Sequence, residues 1–214
     1  MPYKLVIFDF DGTLADSAAW FLARFNGVAE RYRFPKLTPD EIEEMRGQNS
    51  REIVRRLGLP LWKLPLIARH VRQLAMDDGG GITLFPGIEA MLRHLDARGM
   101  QIAVVSSNAE TTIRRTMGAA IAASIDHFEC GASLFGKARR LRRVLKSSGV
   151  AASEAIFIGD ETRDIEAAHQ AGIAAAGVLW GYAKPAAFEG VGPMTTFATV
   201  EDITSFLAGD PPAG

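Results

Sequence analysis

The chain has 214 residues, and its 24 Lys and Arg against 25 Asp and Glu give a formal net charge of −1 at pH 7. This length allows one large α/β domain, or a core domain that carries a smaller insert. The balanced charge gives no reason to expect nucleic acid or a membrane surface as partner, and we predict neither. Cys130 is the only cysteine, which rules out an intrachain disulfide and a zinc site built from cysteines.

The first apolar run covers residues 5–8 and is followed by Asp9, Asp11 and Gly12. It is too short for a signal-peptide core or a membrane span, so we expect a cytoplasmic protein. Such a run predicts a buried parallel strand, and open α/β sheets bind their ligands at the carboxyl ends of strands. If strand pairing continues to Asp11, both carboxylates face the same side. They then suit a nucleophile with a proton donor, or two cation ligands; a turn or helix cap is the alternative.

The segment from residue 16 to residue 79 has helical patterns with no convincing strand between them. Helices are predicted around residues 20–28, from residue 39 onward, over 51–57 and over 62–76. The second of these begins with Thr38, Pro39 and Glu41, which are an N-cap, a first-turn proline and an N3 glutamate. We therefore predict an inserted helical domain over residues 16–81, between the core segments 1–15 and 82–214.

From residue 82 onward, helical and strand patterns alternate. Helices are predicted over 86–98, 137–146 and 162–171 and from Thr199 onward, and strands over 101–105 and 155–158 and in an apolar run that ends at Leu179. This alternation is typical of a parallel sheet with helices on both faces. The predicted fold class is α/β, with a Rossmann-like doubly wound parallel sheet as core and an inserted α-helical domain.

Polar side chains stand at the ends of these elements in four places. They are Asp9 with Asp11, Ser106 to Asn108, Lys137, and Asp160 with Asp164. Three of the four groups follow an apolar strand, and in a doubly wound sheet those strand ends lie along one edge. We therefore predict that the four groups converge on one pocket.

Lys137 is predicted to point inward. On a helix, Leu141, Val144 and Leu145 lie within about 80° of it and bracket its direction. The basic residues predicted to lie on the opposite, solvated side are Arg139, Arg142, Arg143 and Lys146. A lysine on an apolar face needs an anionic partner, which could be a structural acid or a bound phosphate.

Together these groups resemble the four motifs of the haloacid dehalogenase-like hydrolase superfamily. The matching motifs are Asp9-Phe10-Asp11-Gly12-Thr13, Ser106, Lys137 and Gly159-Asp160-Glu161-Thr162-Arg163-Asp164. The resemblance covers nearly the whole chain. It implies that residues 16–81 form the helical cap of phosphoglycolate phosphatase-like and β-phosphoglucomutase-like members.

The resemblance also implies roles for the acidic residues. Asp9 would be the nucleophile that forms an aspartyl-phosphate, and Asp11 would protonate the leaving group and later activate water. Mg²⁺ would be held by Asp9, the backbone carbonyl of Asp11 and Asp160, with Asp164 more remote. Lys137 would offset the repulsion among these acids.

The same resemblance implies that Ser106 holds the transferring phosphate and acts with Lys137 in catalysis. The residues predicted to bind substrate are Thr13, which would also support its turn, together with Ser107, Asn108, Arg46 and Arg51. Ser107 and Asn108 could equally cap a helix. A solvated position at a helix start is an equal alternative for Arg46 and Arg51.

Asp11 favours phosphate ester hydrolysis, because dehalogenases of this superfamily need no acid at that position. We predict a Mg²⁺-dependent phosphatase for a small phosphorylated metabolite, with phosphoglycolate or a sugar phosphate as candidates. A monomer or a homodimer is expected. The alternatives are a phosphomutase, which passes the phosphoryl group to a second hydroxyl, and a non-catalytic ligand-binding protein.

Overall fold

The computed structural model describes residues 3–45, 50–78, 81–131 and 136–209. The strands are β1 (Leu5–Phe8), β2 (Ala15–Asp16), β3 (Thr83–Leu84), β4 (Gln101–Val105), β5 (His127–Glu129), β6 (Ala155–Gly159), β7 (Ala174–Val178) and β8 (Thr195–Phe197). The helices are α1 (Ala18–Tyr32), α2 (Pro39–Met45), α3 (Ser50–Arg56), α4 (Leu64–Asp77), α5 (Ile88–Ala97), α6 (Glu110–Ala122), α7 (Lys137–Ser148), α8 (Thr162–Ala171) and α9 (Val200–Ala208).

The main sheet has β1 at its centre. Within the described ranges it contains six parallel strands in the order β5-β4-β1-β6-β7-β8. Val6 of β1 is in register with Ile102 of β4 on one side and Ile156 of β6 on the other. The chain winds outward from β1 in both directions, which makes the carboxyl ends of β1, β4 and β6 the switch point of the sheet. The predicted α/β fold class is confirmed.

Alternate residues of β1 enter two apolar layers, as expected for a strand that is buried on both faces. Val6 and Phe8 belong to a layer that also contains buried residues of α5, α6 and α9. Leu5 and Ile7 belong to the opposite layer, which is formed with α7 and α8. Helices therefore cover both faces of the sheet and hold β1 rigidly between them.

The helices α1 to α4 lie in the chain between β2 and β3, which pair antiparallel through Ala15 with Leu84. They have a small apolar cluster of their own, with Phe25, Ala29, Met45 and Leu57 buried. The predicted helix start at Thr38 is present: its hydroxyl accepts from the Glu41 amide at 3.2 Å. The domain boundaries at residues 15 and 81 stay a prediction. None of the helices in the described ranges is long and apolar enough to cross a membrane.

Candidate active site

The carboxyl ends of three neighbouring strands bring together polar residues that are distant in sequence. Asp9 follows β1, Ser106 follows β4 and Asp160 follows β6, and these strands are adjacent in the sheet. All three side chains are buried, with exposed fractions of 6%, 1% and 0%. Polar groups with so little exposure are found where they bind one another or a ligand.

Three buried acids form the centre of this edge. One carboxylate oxygen from each of Asp9, Asp160 and Asp164 lies within 4.8 Å of the others. Burial raises the pKa of Asp160 well above its ordinary value, and the charges of Asp164 and Asp9 raise it further. Clustered carboxylate oxygens are the donor set that suits a hard divalent cation such as Mg²⁺, so the residues present fit that ion.

Lys137 reaches the acids from the first turn of α7. Its Nζ donates to Asp9 Oδ2 at 2.8 Å and to Asp164 Oδ1 at 2.5 Å. Burial lowers the pKa of Lys137, but the charges of Asp164 and Asp9 outweigh this effect and the pKa is raised. The amine is therefore a cation, and it points inward as predicted. Of the two anionic partners considered, the structure contains structural acids.

Asp9 is held at both oxygens. Oδ1 accepts from the Phe10 amide at 2.8 Å and Oδ2 accepts from Lys137, while the Asp9 amide donates to the Ile158 carbonyl at 2.9 Å. Burial raises the pKa of Asp9 to about 7, although the neighbouring Lys137 lowers it. The carboxylate is thus fixed in position and short of hydration, which suits a nucleophile.

Asp11 is oriented by a turn and by neighbouring donors. Pairing of β1 ends at Phe8, so the alternation that would place residues 9 and 11 on one side does not extend to Asp11. The chain instead turns, with the Gly12 amide donating to the Ala15 carbonyl at 2.9 Å. Asn108 Nδ2 donates to Asp11 Oδ2 at 2.8 Å. Burial raises the pKa of Asp11, whereas hydrogen bonds from Ser17 and Asn108 lower it.

Backbone atoms of neighbouring loops lie close to the Asp160 side chain. Its carboxylate accepts from Thr13 Oγ1 at 3.1 Å and from the Tyr182 amide at 2.8 Å. A Cβ atom added to Gly12 or to Gly181 would lie 2.2 Å from an atom of this aspartate. Thr13 is fully buried, and its hydroxyl is directed at this acid. Its position in the structure suits holding Asp160 more than contacting a substrate.

Asp164 makes two kinds of contact in the structure. It is residue N3 of α8, and its Oδ2 accepts from the Glu161 amide at 3.1 Å in a capping box. Its other oxygen accepts from Lys137. One fully buried carboxylate therefore caps the first turn of α8 and also belongs to the acid cluster.

The remaining residues that were predicted to bind substrate do not belong to the acid cluster. The Asn108 side chain contacts Asp11, and the Asn108 backbone amide donates to Ser106 Oγ at 3.0 Å. Ser107 is partly exposed beside them. Arg46 lies outside the described residues, and only the backbone of Arg51, in α3, is described. The basic residues of α7 predicted to face solvent are exposed, namely Arg139, Arg142, Arg143 and Lys146.

Several residues at this carboxyl edge of the sheet were given no role from the sequence. Tyr182 and Ser17 share a hydrogen bond of 3.0 Å between their hydroxyls. Arg163 donates to Glu161 at 2.5 Å. Arg140 is buried one helical turn after Lys137. Its spacing of three residues from Lys137 places it on the same helix face, which is a signal that the sequence does contain.

A doubly wound sheet with buried acids and an ammonium at its switch point is typical of α/β enzymes, which bind their ligands at that place. A family model described as haloacid dehalogenase-like hydrolase matches residues 6–178. A phosphoglycolate phosphatase of Synechococcus elongatus is 31% identical over 180 residues, which are 84% of this chain and 85% of that protein.

Two further proteins resemble the chain. Tyrosine-protein kinase PtkA of Mycobacterium tuberculosis is 30% identical over 85% of this chain, which spans 64% of that longer protein. The crystal structure of a predicted phosphoglycolate phosphatase from Haemophilus somnus shares the fold. Its TM-score is 0.78 at 22% identity, over 97% of this chain and 99% of that one.

The chain belongs to the haloacid dehalogenase-like hydrolase family, in its phosphoglycolate phosphatase-like branch. The predicted family and the predicted enzyme class, a phosphatase, are thereby confirmed.

Proposed function

We propose that the protein is a Mg²⁺-dependent phosphatase that hydrolyses a small phosphorylated metabolite through an aspartyl-phosphate on Asp9. The observation that carries this proposal is the fixed Asp9 carboxylate, 2.8 Å from the Lys137 ammonium and clustered with Asp160 and Asp164. Phosphoglycolate or a sugar phosphate is the proposed substrate class. The phosphoglycolate phosphatase relative, which is matched over 85% of its length, supports this choice.

Asp9, Asp160 and the backbone carbonyl of Asp11 would bind the Mg²⁺ ion directly. Asp164 would lie farther from the ion, next to these ligands. When bound, the ion would neutralise the acids and the charge of the transferring phosphoryl group. The buried, all-oxygen donor set supports this assignment. Lys137 supplies a second positive charge that does not depend on the ion.

In the first step, an Asp9 carboxylate oxygen attacks phosphorus, and the bond from phosphorus to the ester oxygen breaks. Asp11 gives a proton to the departing alkoxide. In the second step, Asp11 takes a proton from water as the water oxygen attacks the aspartyl-phosphate. The bond between Asp9 and phosphorus then breaks, which releases inorganic phosphate and restores the carboxylate.

Ser106 and the loop that follows it would hold the phosphoryl oxygens. The Ser106 hydroxyl is at the end of β4, next to the strand that carries Asp9. Asn108 joins this loop to the proposed acid, because its side-chain amide donates to Asp11 at 2.8 Å. The phosphate-binding loop and the proton donor are therefore positioned relative to each other before a substrate arrives.

A panel of phosphate esters tests the proposal. Phosphoglycolate, a hexose 1-phosphate, a hexose 6-phosphate and p-nitrophenyl phosphate are scored for release of inorganic phosphate with Mg²⁺ and with EDTA. We expect release from at least one ester, its loss in EDTA, and its loss in Asp9→Asn. Asp40→Asn, an exposed acid in α2, is the matched control and should keep full activity. Full activity of Asp9→Asn would contradict the proposal.

The products separate hydrolysis from the related transfer reactions. Conversion of a hexose phosphate to its isomer without release of phosphate would establish a phosphomutase instead. Tight binding of an ester with no turnover in Mg²⁺ would favour a non-catalytic protein. The predicted cytoplasmic location and the monomeric or homodimeric state stay predictions, to be tested by fractionation and by light scattering.

A further inference from the structure

Arg140 of α7 bridges the ends of two strands beside the proposed phosphate site. Its side chain is buried, with 8% exposed. Its guanidinium donates to the Ser106 carbonyl at 2.6 Å and to the Gly131 carbonyl. Ser106 follows β4 and Gly131 comes shortly after β5, so one planar group holds the carboxyl ends of both strands.

The bridge stands where the pairing of β4 with β5 stops. The Ser106 amide still donates to the Glu129 carbonyl at 3.2 Å. In a continuing parallel ladder the Ser106 carbonyl would accept from the amide of Gly131. That amide instead donates to the Asn108 carbonyl at 2.7 Å. Arg140 therefore supplies the donor that the Ser106 carbonyl would otherwise lack.

This contact fixes the direction of the next amide. Ser106 donates its amide to Glu129 of β5, and its carbonyl accepts from the Arg140 guanidinium, which also contacts Gly131 just after β5. In a trans peptide the carbonyl of one residue and the amide of the next point in opposite directions, and no cis peptide occurs among the described residues. The Ser107 amide therefore points away from the Arg140 guanidinium, and the next residue, Asn108, contacts Asp11 on the other side of the loop.

The charge of Arg140 is also placed to act on an anion. In the part of the chain that the structure describes, its side-chain hydrogen bonds go to two neutral carbonyl groups. A buried cation with neutral partners favours negative charge nearby, because little water is present to solvate it. A phosphate on the loop would bring that charge.

We propose that Arg140 is a positioning residue for phosphate. It holds the peptide between Ser106 and Ser107 so that the Ser107 amide donates to the phosphoryl group, and its positive charge favours the bound anion. The inference deepens the proposed function and rests on the phosphate site being at this loop. It adds a cation to the site that is separate from Lys137.

The test compares Arg140→Met and Arg140→Lys with Arg139→Met, an exposed arginine on the same helix. Affinity for inorganic phosphate is measured by calorimetry in MgCl₂, and kcat and KM are measured on the best ester. We expect about a tenfold or greater loss of phosphate affinity in Arg140→Met. Arg140→Lys should lose at least about threefold, because an ammonium lacks the planar fork. Arg139→Met should match the parent protein.

A purely structural role would lower the melting temperature of the variants and leave phosphate affinity unchanged in the folded protein. Wild-type phosphate affinity in either folded Arg140 variant would therefore overturn the inference. If neither variant folds, the unmodified protein decides: titration with inorganic phosphate must move the NMR resonances of both the Ser107 amide and the Arg140 guanidinium. An unmoved resonance of either group at saturating phosphate would refute the proposal.

These measurements also separate the inference from the proposed function. If the unmodified protein releases phosphate from no ester, the phosphatase proposal fails. A loss of phosphate affinity in Arg140→Met would then still support the role of Arg140. If the protein turns over esters and Arg140→Met keeps its phosphate affinity, the phosphatase proposal stands and the role of Arg140 is rejected.

Discussion

The carboxyl edge of the sheet and the helices α1 to α4 use charge in different ways. At the sheet edge, Lys137 contacts Asp9 and Asp164, which are 128 and 27 residues away in sequence, and all three groups are largely buried. In the helical segment, Lys36 pairs with Glu30 only six residues away, and both side chains are more than half exposed. The edge is therefore rigid and costly to alter, whereas the helical segment tolerates change.

Removing the edge lysine should have the largest effect. Lys137→Met leaves Asp9 and Asp164 buried without their cation, which costs about 3–5 kcal/mol of unfolding free energy. Phosphate release should fall by more than about a hundredfold, because the acids lose their preorganised partner. Urea unfolding and the ester assay measure the two effects. Lys36→Met, which breaks the exposed pair, should change stability by less than about 1 kcal/mol. Equal losses of stability and activity in the two variants would contradict the predicted difference between the two regions.

Alanine at two glycines should have effects of opposite sign. A Cβ at Gly181 would lie 2.2 Å from the Asp160 side chain, so Gly181→Ala displaces a proposed metal ligand. We expect destabilisation of about 1–3 kcal/mol and weaker activation by Mg²⁺. At Gly27, in α1, a Cβ meets nothing within 4 Å, and Gly27→Ala should stabilise by about 0.5–1 kcal/mol. Thermal unfolding and Mg²⁺ titration of both variants test this; stabilisation by Gly181→Ala would contradict it.

The hydrogen bond between Ser17 and Tyr182, which joins the start of the helical segment to the sheet edge, should have a smaller effect on the free energy of unfolding. Ser17 precedes α1, Tyr182 follows β7, and their hydroxyls share a hydrogen bond of 3.0 Å. Tyr182→Phe and Ser17→Ala should each cost about 1 kcal/mol. The double variant should cost less than the sum, because both changes remove one interaction. A double-mutant cycle on unfolding free energy and on kcat/KM measures the coupling. Strict additivity would show that the bond contributes nothing.

The positions of the acids and of Lys137 could be predicted because each depends on a local pattern in the sequence. Apolar runs end at Asp9 and Asp160, and helical spacing directs Lys137 toward the sheet. Parallel winding then brings the strand ends together without further information. The same reasoning gave the two layers of the core.

Other features depend on contacts that no local pattern displays. Strands β5 and β8 have three residues each and lie at the two edges of the described sheet, with partly exposed positions, so they lack an apolar run. Helix α6 changes direction at Gly118, where φ is 74°. Tyr182 meets Ser17 across 165 residues. Arg140 binds backbone carbonyls, which every residue has, and so its partners leave no mark in the sequence.

The smallest predicted effect is on the reactivity of Cys130, which tests whether water is excluded at the carboxyl end of β5. Cys130 follows β5, and burial raises its pKa to about 12, with Glu110 adding to the shift and Arg140 opposing it. Only the thiolate reacts with disulfide reagents, so a raised pKa makes the folded protein unreactive near pH 7. We expect the rate to rise about tenfold per pH unit between pH 7 and pH 10 and to stay well below that of a free thiol.

A cysteine in the helical segment provides the comparison. Leu61 is 74% exposed, so Leu61→Cys adds a thiol with an ordinary pKa near 8.5 that should react fast at pH 8. Urea should bring Cys130 to the same rate, since unfolding removes its burial. Rapid labelling of Cys130 in the folded protein at pH 7 would show that water reaches this edge. The raised pKa of Cys130 would then lose its physical basis.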